Sequence, residues 1–213
     1  VGLREDKKEA IRRRLYESAM ARFREHGFAE TRIRDVIDDV GVSEATFFNY
    51  FPTKEAVLHQ SSAETKRFYG AYLHNLVARD TEGAADRLRE LAGVVASTFA
   101  RDREFMATVL AHTDLFFSPS GETNALDVEN SHLLAELFRQ GQARAEFDAE
   151  QDPVQLAEIF NAVQLLTTLN WVNRWWGETT EDLDGRLRRA IDVVLSGARR
   201  QSSRRRSRAT SPS

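Results

Sequence analysis

Residues 43–54 set hydrogen-bonding side chains, an aromatic pair and a lysine on successive turns: Ser43, Glu44, Thr46, Asn49, Tyr50 and Lys54, with Phe47 and Phe51 four apart. Amide, hydroxyl and carboxylate groups on one outward helical face match the donors and acceptors along base-pair edges in a major groove. Glu44 there accepts from cytosine N4 and repels phosphates, so it acts partly by exclusion. Phe47 and Phe51 share the opposite face, which the spacing assigns to the interior. Ala45 and Phe48 complete the outer face and its margins. The implied chemistry is non-covalent recognition of duplex DNA.

The elements that must hold these residues are legible on either side. Apolar residues at 33, 36, 37 and 40 give helical spacing, with Thr31 as a cap. Gly41 ends that helix because it tolerates a left-handed backbone. Ser43 then caps a second short helix, with Glu44 in the first turn where the helix dipole favours a carboxylate. Two short helices joined by a tight glycine turn are the signature of a helix-turn-helix. Pro52 breaks the chain, and Thr53 caps a new helix opening Lys54-Glu55-Ala56. A helix N-terminus is an anion site, so Lys54 is expected to hold a phosphate there, as are Ser43 and Tyr50. If so, removing Lys54 flattens the salt dependence of binding by about 1.

The charge balance restricts how such a protein finds DNA. The net charge is −3, yet residues 199–213 hold six arginines and no acid, leaving 24 basic against 33 acidic residues in 1–198. A body of net −9 must present a locally basic surface, which screening permits beyond roughly 8 Å at physiological salt. Arg32 and Arg34, Lys54 and some of Arg12, Arg13 and Arg14 are the available donors.

From about Arg12 to Leu58 the chain resembles the DNA-binding domain of the TetR family of transcriptional regulators. The resemblance is carried by Ala19, Phe23, Gly27, Phe28, Thr31, Gly41-Val42-Ser43, Thr46, Phe47, Tyr50-Phe51 and Lys54-Glu55. It implies an all-α protein: an N-terminal three-helix helix-turn-helix domain, then a C-terminal helical domain for ligand binding and dimerisation. Two positions depart from the family pattern. Ile37 stands where many members have Ala, and Phe48 where many have a Tyr whose hydroxyl contacts a phosphate.

The remainder reads as a run of helices: 5–26 before the motif, then 54–79, 84–101, one marked by Phe105 to Phe116, one by Leu126 to Phe138, 153–176, and one by Leu183 to Leu195. Expected domains are 1–53 (DNA binding), 54–198 (ligand binding and dimerisation) and an Arg-rich, disordered tail, 199–213. The 153–176 helix is apolar around much of its circumference and must be covered on several sides. With the last helix it can meet its own copy in a two-fold four-helix bundle. The resemblance implies the same homodimer, and a two-fold pair of heads suits a palindromic operator.

Asn161, Gln164, Thr168 and Trp171 fall on one stripe of the apolar helix, where polar groups can orient a small molecule. Phe99, Phe105, Met106, His112, Phe116 and Phe138 are the candidate apolar lining. The expected function is a homodimeric repressor released by a small, largely apolar effector that shifts the 54–79 helix. Control by a protein partner without a ligand is the alternative, and a helical enzyme a remote one. The five histidines form no pair with metal-ligand spacing, and no nucleophile elbow, P-loop or dinucleotide fingerprint occurs, so neither metal nor cofactor is expected. There is no cysteine, no secretory signal pattern and no apolar run near the roughly 20 residues a membrane span needs, which makes a cytoplasmic protein the expectation.

Arg34 is the best-placed guanine reader. Arg34→Ala is expected to weaken operator binding by roughly 1–3 kcal/mol and relax preference at one base position. Competition binding against single-base operator variants checks this; an unchanged preference removes Arg34 as a reader.

Overall fold

The computed structural model describes residues 2–113, 121–175, 177 and 181–199. Every regular element among them is a helix, as the sequence implied: α1 Leu3–His26, α2 Ile33–Val40, α3 Glu44–Tyr50, α4 Glu55–Ala78, α5 Ala84–Ala100, α6 Arg103–His112, α7 Gly121–Ala143, α8 Pro153–Asn173 and α9 Leu183–Ala198. Two compact units result. One takes in the described residues of 1–67 and 102–119, the other those of 68–101 and 120–213. The first therefore holds α1–α3, the start of α4 and α6. Phe116 and the tail beyond Arg199 lie outside the described residues.

In the first unit α1 contributes Leu15, Ala19 and Phe23, spaced by four and all buried. Val36 and Val40 of α2, Phe47 and Phe51 around α3, and Val57 and Leu58 of α4 close the same core. α6 joins this unit through Arg24 of α1, whose guanidinium lies 4.6 Å from the Phe105 ring centroid and 3.7 Å from Asp102.

The second unit is built from helices with strict four-residue stripes. α8 buries Leu156, Phe160, Gln164, Thr168 and Val172; α9 buries Leu183, Leu187, Ile191 and Leu195. α9 packs on α5 and α8, and α7 on α5 and α8. Asp152 caps α8 by accepting from Val154 N at 2.9 Å, with Pro153 in the first turn where its missing N–H is harmless. Asp182 caps α9 in the same way, from Gly185 N at 2.7 Å. α5 is capped at long range: the Glu146 carboxylate accepts from Ala84 N at 2.9 Å and Ala85 N at 3.1 Å.

Arg87 is a charge sealed in this interior. Fully buried, its Nη1 donates to Leu76 O and Gln140 Oε1, each at 2.7 Å, while Nε and Nη2 have no hydrogen-bond partner. Desolvation pushes its pKa down.

α8 stops earlier than the 153–176 reading. Its apolar pattern continues through Trp175, but Arg174 takes the left-handed conformation (φ 55°) and ends the helix at Asn173, leaving Trp175 exposed. Hydrophobicity alone does not mark a helix end whose termination is a backbone event.

Two helical glycines make a paired test. A Cβ on Gly141 would meet Phe147 Cδ2 at 2.3 Å, and that ring is packed 5.4 Å from Phe138, both buried. Gly141→Ala is expected to destabilise by roughly 1–3 kcal/mol through overpacking. A Cβ on Gly93 meets nothing closer than 3.6 Å, so Gly93→Ala is expected to stabilise by roughly 0.5–1 kcal/mol. Urea unfolding of the two variants checks both signs.

Candidate nucleic-acid interface

The recognition surface is assembled from helix ends. Gly41, at φ 74° and ψ 44°, closes α2 by donating its N–H to Ile37 O at 2.8 Å. Ser43 accepts from Thr46 N at 3.2 Å, and its Oγ shares a 2.8 Å hydrogen bond with Thr46 Oγ1. This reciprocal pair fixes the Thr46 rotamer at the head of α3. Phe47 and Phe51 are the inner anchors, their ring centroids 5.7 Å apart, and Phe48 meets Phe47 edge-on while remaining 41% exposed.

What α3 turns outward is the expected set. Ser43, Glu44, Ala45 and Asn49 are exposed, and Thr46 and Tyr50 are half-buried. Arg32, the N-cap of α2, and Arg34 in its first turn are also exposed, with no side-chain partner among the described residues. Arg14 instead donates to Val40 O at 3.0 Å, Arg13 lies 3.8 Å from Glu17, and Arg12 sits 5.8 Å from the Phe51 ring centroid.

α2 is locked to α1 by one carboxylate. Asp39 accepts from Arg22 Nε and Nη2, both at 2.7 Å, and from Ser18 Oγ at 2.7 Å. Hydrogen bonds from Arg22, then from Ser18, hold its pKa down at about 2.

Lys54 is half-buried and turned onto the loop between α1 and α2. Its Nζ donates to the carbonyls of Phe28, Ala29 and Thr31 at 2.6, 3.3 and 3.2 Å and lies 4.4 Å from the Phe28 ring centroid. An ammonium has three donors, and three carbonyls of the loop between α1 and α2 take them. Sequence alone offered no sign of these acceptors, because they are backbone groups of a loop some 25 residues away.

Of the ten residues assigned to a ligand, Phe116 lies outside the described residues, and the other nine divide between the two units. Phe105, Met106 and His112 belong to the first unit, where His112 tilts against Phe28 at 4.6 Å. Phe99, Phe138, Gln164 and Thr168 are buried in the second, with Asn161 and Trp171 half-buried. Thr168 Oγ1 donates back to Gln164 O at 2.8 Å, and Trp171 Nε1 to Glu181 O at 3.2 Å. Tyr69 of α4 is the polar group the sequence reading missed, since it read as one more apolar position on the 54–79 helix. Its buried hydroxyl faces the Gln164 side chain; burial pushes the phenol up to about 12, and the glutamine only partly opposes the rise. Among the described residues no group of acidic, histidine or cysteine side chains is arranged to hold a metal, and no helix is long and apolar enough to cross a membrane.

A buttressed helix-turn-helix with its polar face outward, on an otherwise helical chain, defines a DNA-binding regulator. Comparison with known proteins gives the lineage. Residues 15–60 match the family of bacterial regulatory proteins, tetR family. The HTH-type transcriptional regulator LuxR of Vibrio harveyi is 23% identical over 159 residues, 71% of this chain and 74% of LuxR. The structure of Thermus thermophilus FadR, a TetR family transcriptional repressor in complex with lauroyl-CoA, superposes with a TM-score of 0.67 at 23% identity, over 92% of this chain and 99% of that one. Bacillus subtilis FadR in complex with stearoyl-CoA gives 0.62 at 18% identity, over 86% and 97%. Residues 15–60 thus carry the tetR-family domain of bacterial regulatory proteins, and the chain as a whole shares the fold of TetR-family regulators of known structure.

The depressed Asp39 pKa makes a pH prediction. A carboxylate with a lowered folded-state pKa contributes stability that is present above its unfolded value, near 3.8, and is lost as pH falls toward about 2. Asp39→Asn is expected to lower the melting temperature at neutral pH by roughly 2–4 °C. It is also expected to shrink the drop in melting temperature between those two pH values. Thermal melts of both proteins across that window check it.

Proposed function

We propose that this regulator is a homodimeric repressor that binds a palindromic operator with α3 in the major groove and is released by a small effector. The observation that carries the DNA half is the outward set Glu44, Ala45, Thr46 and Asn49, held rigid by the buried anchors Phe47 and Phe51. Thr46, Asn49 and Glu44 read base edges, and Arg34 reads guanine from α2. Ser43, Tyr50 and Arg32 hold the backbone, and Phe48 adds apolar contact at the margin.

The dimer reading rests on apolar surface left bare on the last two helices. Ile159 and Leu166 of α8 are 45% and 55% exposed, and Val193 of α9 is 73% exposed. A second copy applied about a two-fold axis would cover them and set two heads on one operator.

The effector reading is supported by the buried polar groups Tyr69 and Gln164, which face each other inside the second unit, and by the acyl-CoA bound to the two FadR proteins. α4 contributes residues to both compact units, so it is the natural element for transmitting occupancy. The effector must bind the released state more tightly, because equal affinity for both states shifts nothing.

Selection of random duplexes by the purified protein, followed by sequencing, tests the operator; a palindrome is expected, and no enrichment at low salt removes the reading. Leu166→Glu with Val193→Glu is expected to give a monomer in sedimentation that binds a half-site weakly and loses the palindrome preference. A double variant that still sediments as a dimer moves the interface elsewhere.

A further inference from the structure

We propose that Lys54 is a positioning residue of the DNA-reading surface and not a phosphate contact. The proposal rests on the assignment of the α2–α3 surface to DNA given above.

The geometry is of an internal staple. All three acceptors of the Lys54 ammonium are main-chain carbonyls of residues 28–31, the segment joining α1 to α2. That segment needs such a donor, because its carbonyls belong to neither helix and those of Phe28 and Thr31 are partly buried. The Phe28 ring supplies a fourth attraction: it is buried, lies 4.4 Å from Nζ, and is itself held by Phe23 at 5.0 Å and His112 at 4.6 Å. Thr31 is fixed independently, its Oγ1 donating to Gly27 O at 2.8 Å.

What the staple holds is the root of the basic surface. Thr31, whose carbonyl Lys54 binds, is followed at once by Arg32, the N-cap of α2, and then by Arg34. The lysine at the start of α4 therefore sets the direction in which both exposed arginines leave the body of the domain.

The N-terminus of α4, the expected phosphate site, is already furnished. The Glu55 carboxylate is held below the usual carboxylate range, first by its own backbone N–H and then by Thr53 and Lys54 among others. Thr53 Oγ1 accepts from Ala56 N at 3.2 Å. An incoming phosphate would meet a carboxylate there, and Lys54 would have to abandon three carbonyls to reach it.

The test uses the full chain and fluorescence anisotropy against the selected operator and a generic duplex. Measurements run across a salt series, at a temperature where circular dichroism shows each variant folded. Lys54→Met keeps the aliphatic stem and removes the ammonium. It is expected to weaken binding about tenfold, the effect of losing charge-assisted hydrogen bonds, with the wild-type salt slope unchanged. Lys54→Arg keeps the charge but offers a planar fork that cannot point at three converging carbonyls, and is expected not to restore affinity. A slope shallower by about 1 in Lys54→Met, with affinity restored by Lys54→Arg, makes Lys54 a phosphate ligand and overturns the proposal. Wild-type affinity in folded Lys54→Met, with only a lower melting temperature, overturns it as well, since that is a purely stabilising role. Should Lys54→Met melt below the assay temperature, Lys54→Gln takes its place. Failure of the wild type to bind either duplex overturns the DNA assignment along with the proposal, and is the one result that removes both.

Discussion

The burial of Phe47 and Phe51 is the constraint on which the exposed face of α3 depends. α3 has seven residues, and an isolated helix shorter than about 12–15 residues is marginal in water. It exists because two aromatic rings on its inner side are driven into the core of the first unit, which fixes its rotation and presents the other face. The surrounding contacts maintain that socket: Gly41 turns the chain, Ser43 caps the helix, Arg14 ties off the end of α2, and Asp39 joins α2 to α1. A reading head of this kind needs rigidity more than area, because base discrimination requires donors held to fractions of an ångström.

Electrostatics follows from the same economy of parts. The body is acidic, so attraction to DNA must be local, and two of the carboxylates in the first unit are already engaged. Asp39 is engaged by Arg22 and Ser18, and Glu55 by the amide end of α4. Among the described residues Arg32 and Arg34 have no side-chain partner, while Arg14 and Lys54 are tied to backbone carbonyls. A charge count over the sequence treats all four alike; their partners separate them.

Much of the architecture was legible from residue patterns. Gly41 and Ser43 declared the turn, the 47/51 spacing declared the buried face, and the four-residue stripe of α9 declared its core side. These are local signals, fixed by backbone conformation or helical period. What stayed hidden depends on partners distant in sequence. Glu146 caps a helix that begins 62 residues before it, Lys54 serves carbonyls some 25 residues upstream, and Tyr69 faces a glutamine on another helix. The end of α8 was missed for a different reason: the chain leaves the helix at Arg174 by a left-handed residue that no hydrophobic pattern anticipates. On the ligand side, a stripe of polar residues was visible, but periodicity cannot say which helices close around it.

Arg87 gives the second unit a check on its own assembly. Its guanidinium finds acceptors in Leu76 at the end of α4 and Gln140 on α7, so three helices must arrive in register for the charge to be met. A slip of α5 by one residue would turn the side chain away from both and strand a full cation in apolar surroundings, a penalty of several kcal/mol. Neighbouring leucines would tolerate the same slip with small losses, since hydrophobic contact is not directional. The sealed arginine thus contributes little to how firmly these helices associate and much to which of their possible alignments survives, acting as a proofreading contact within the fold.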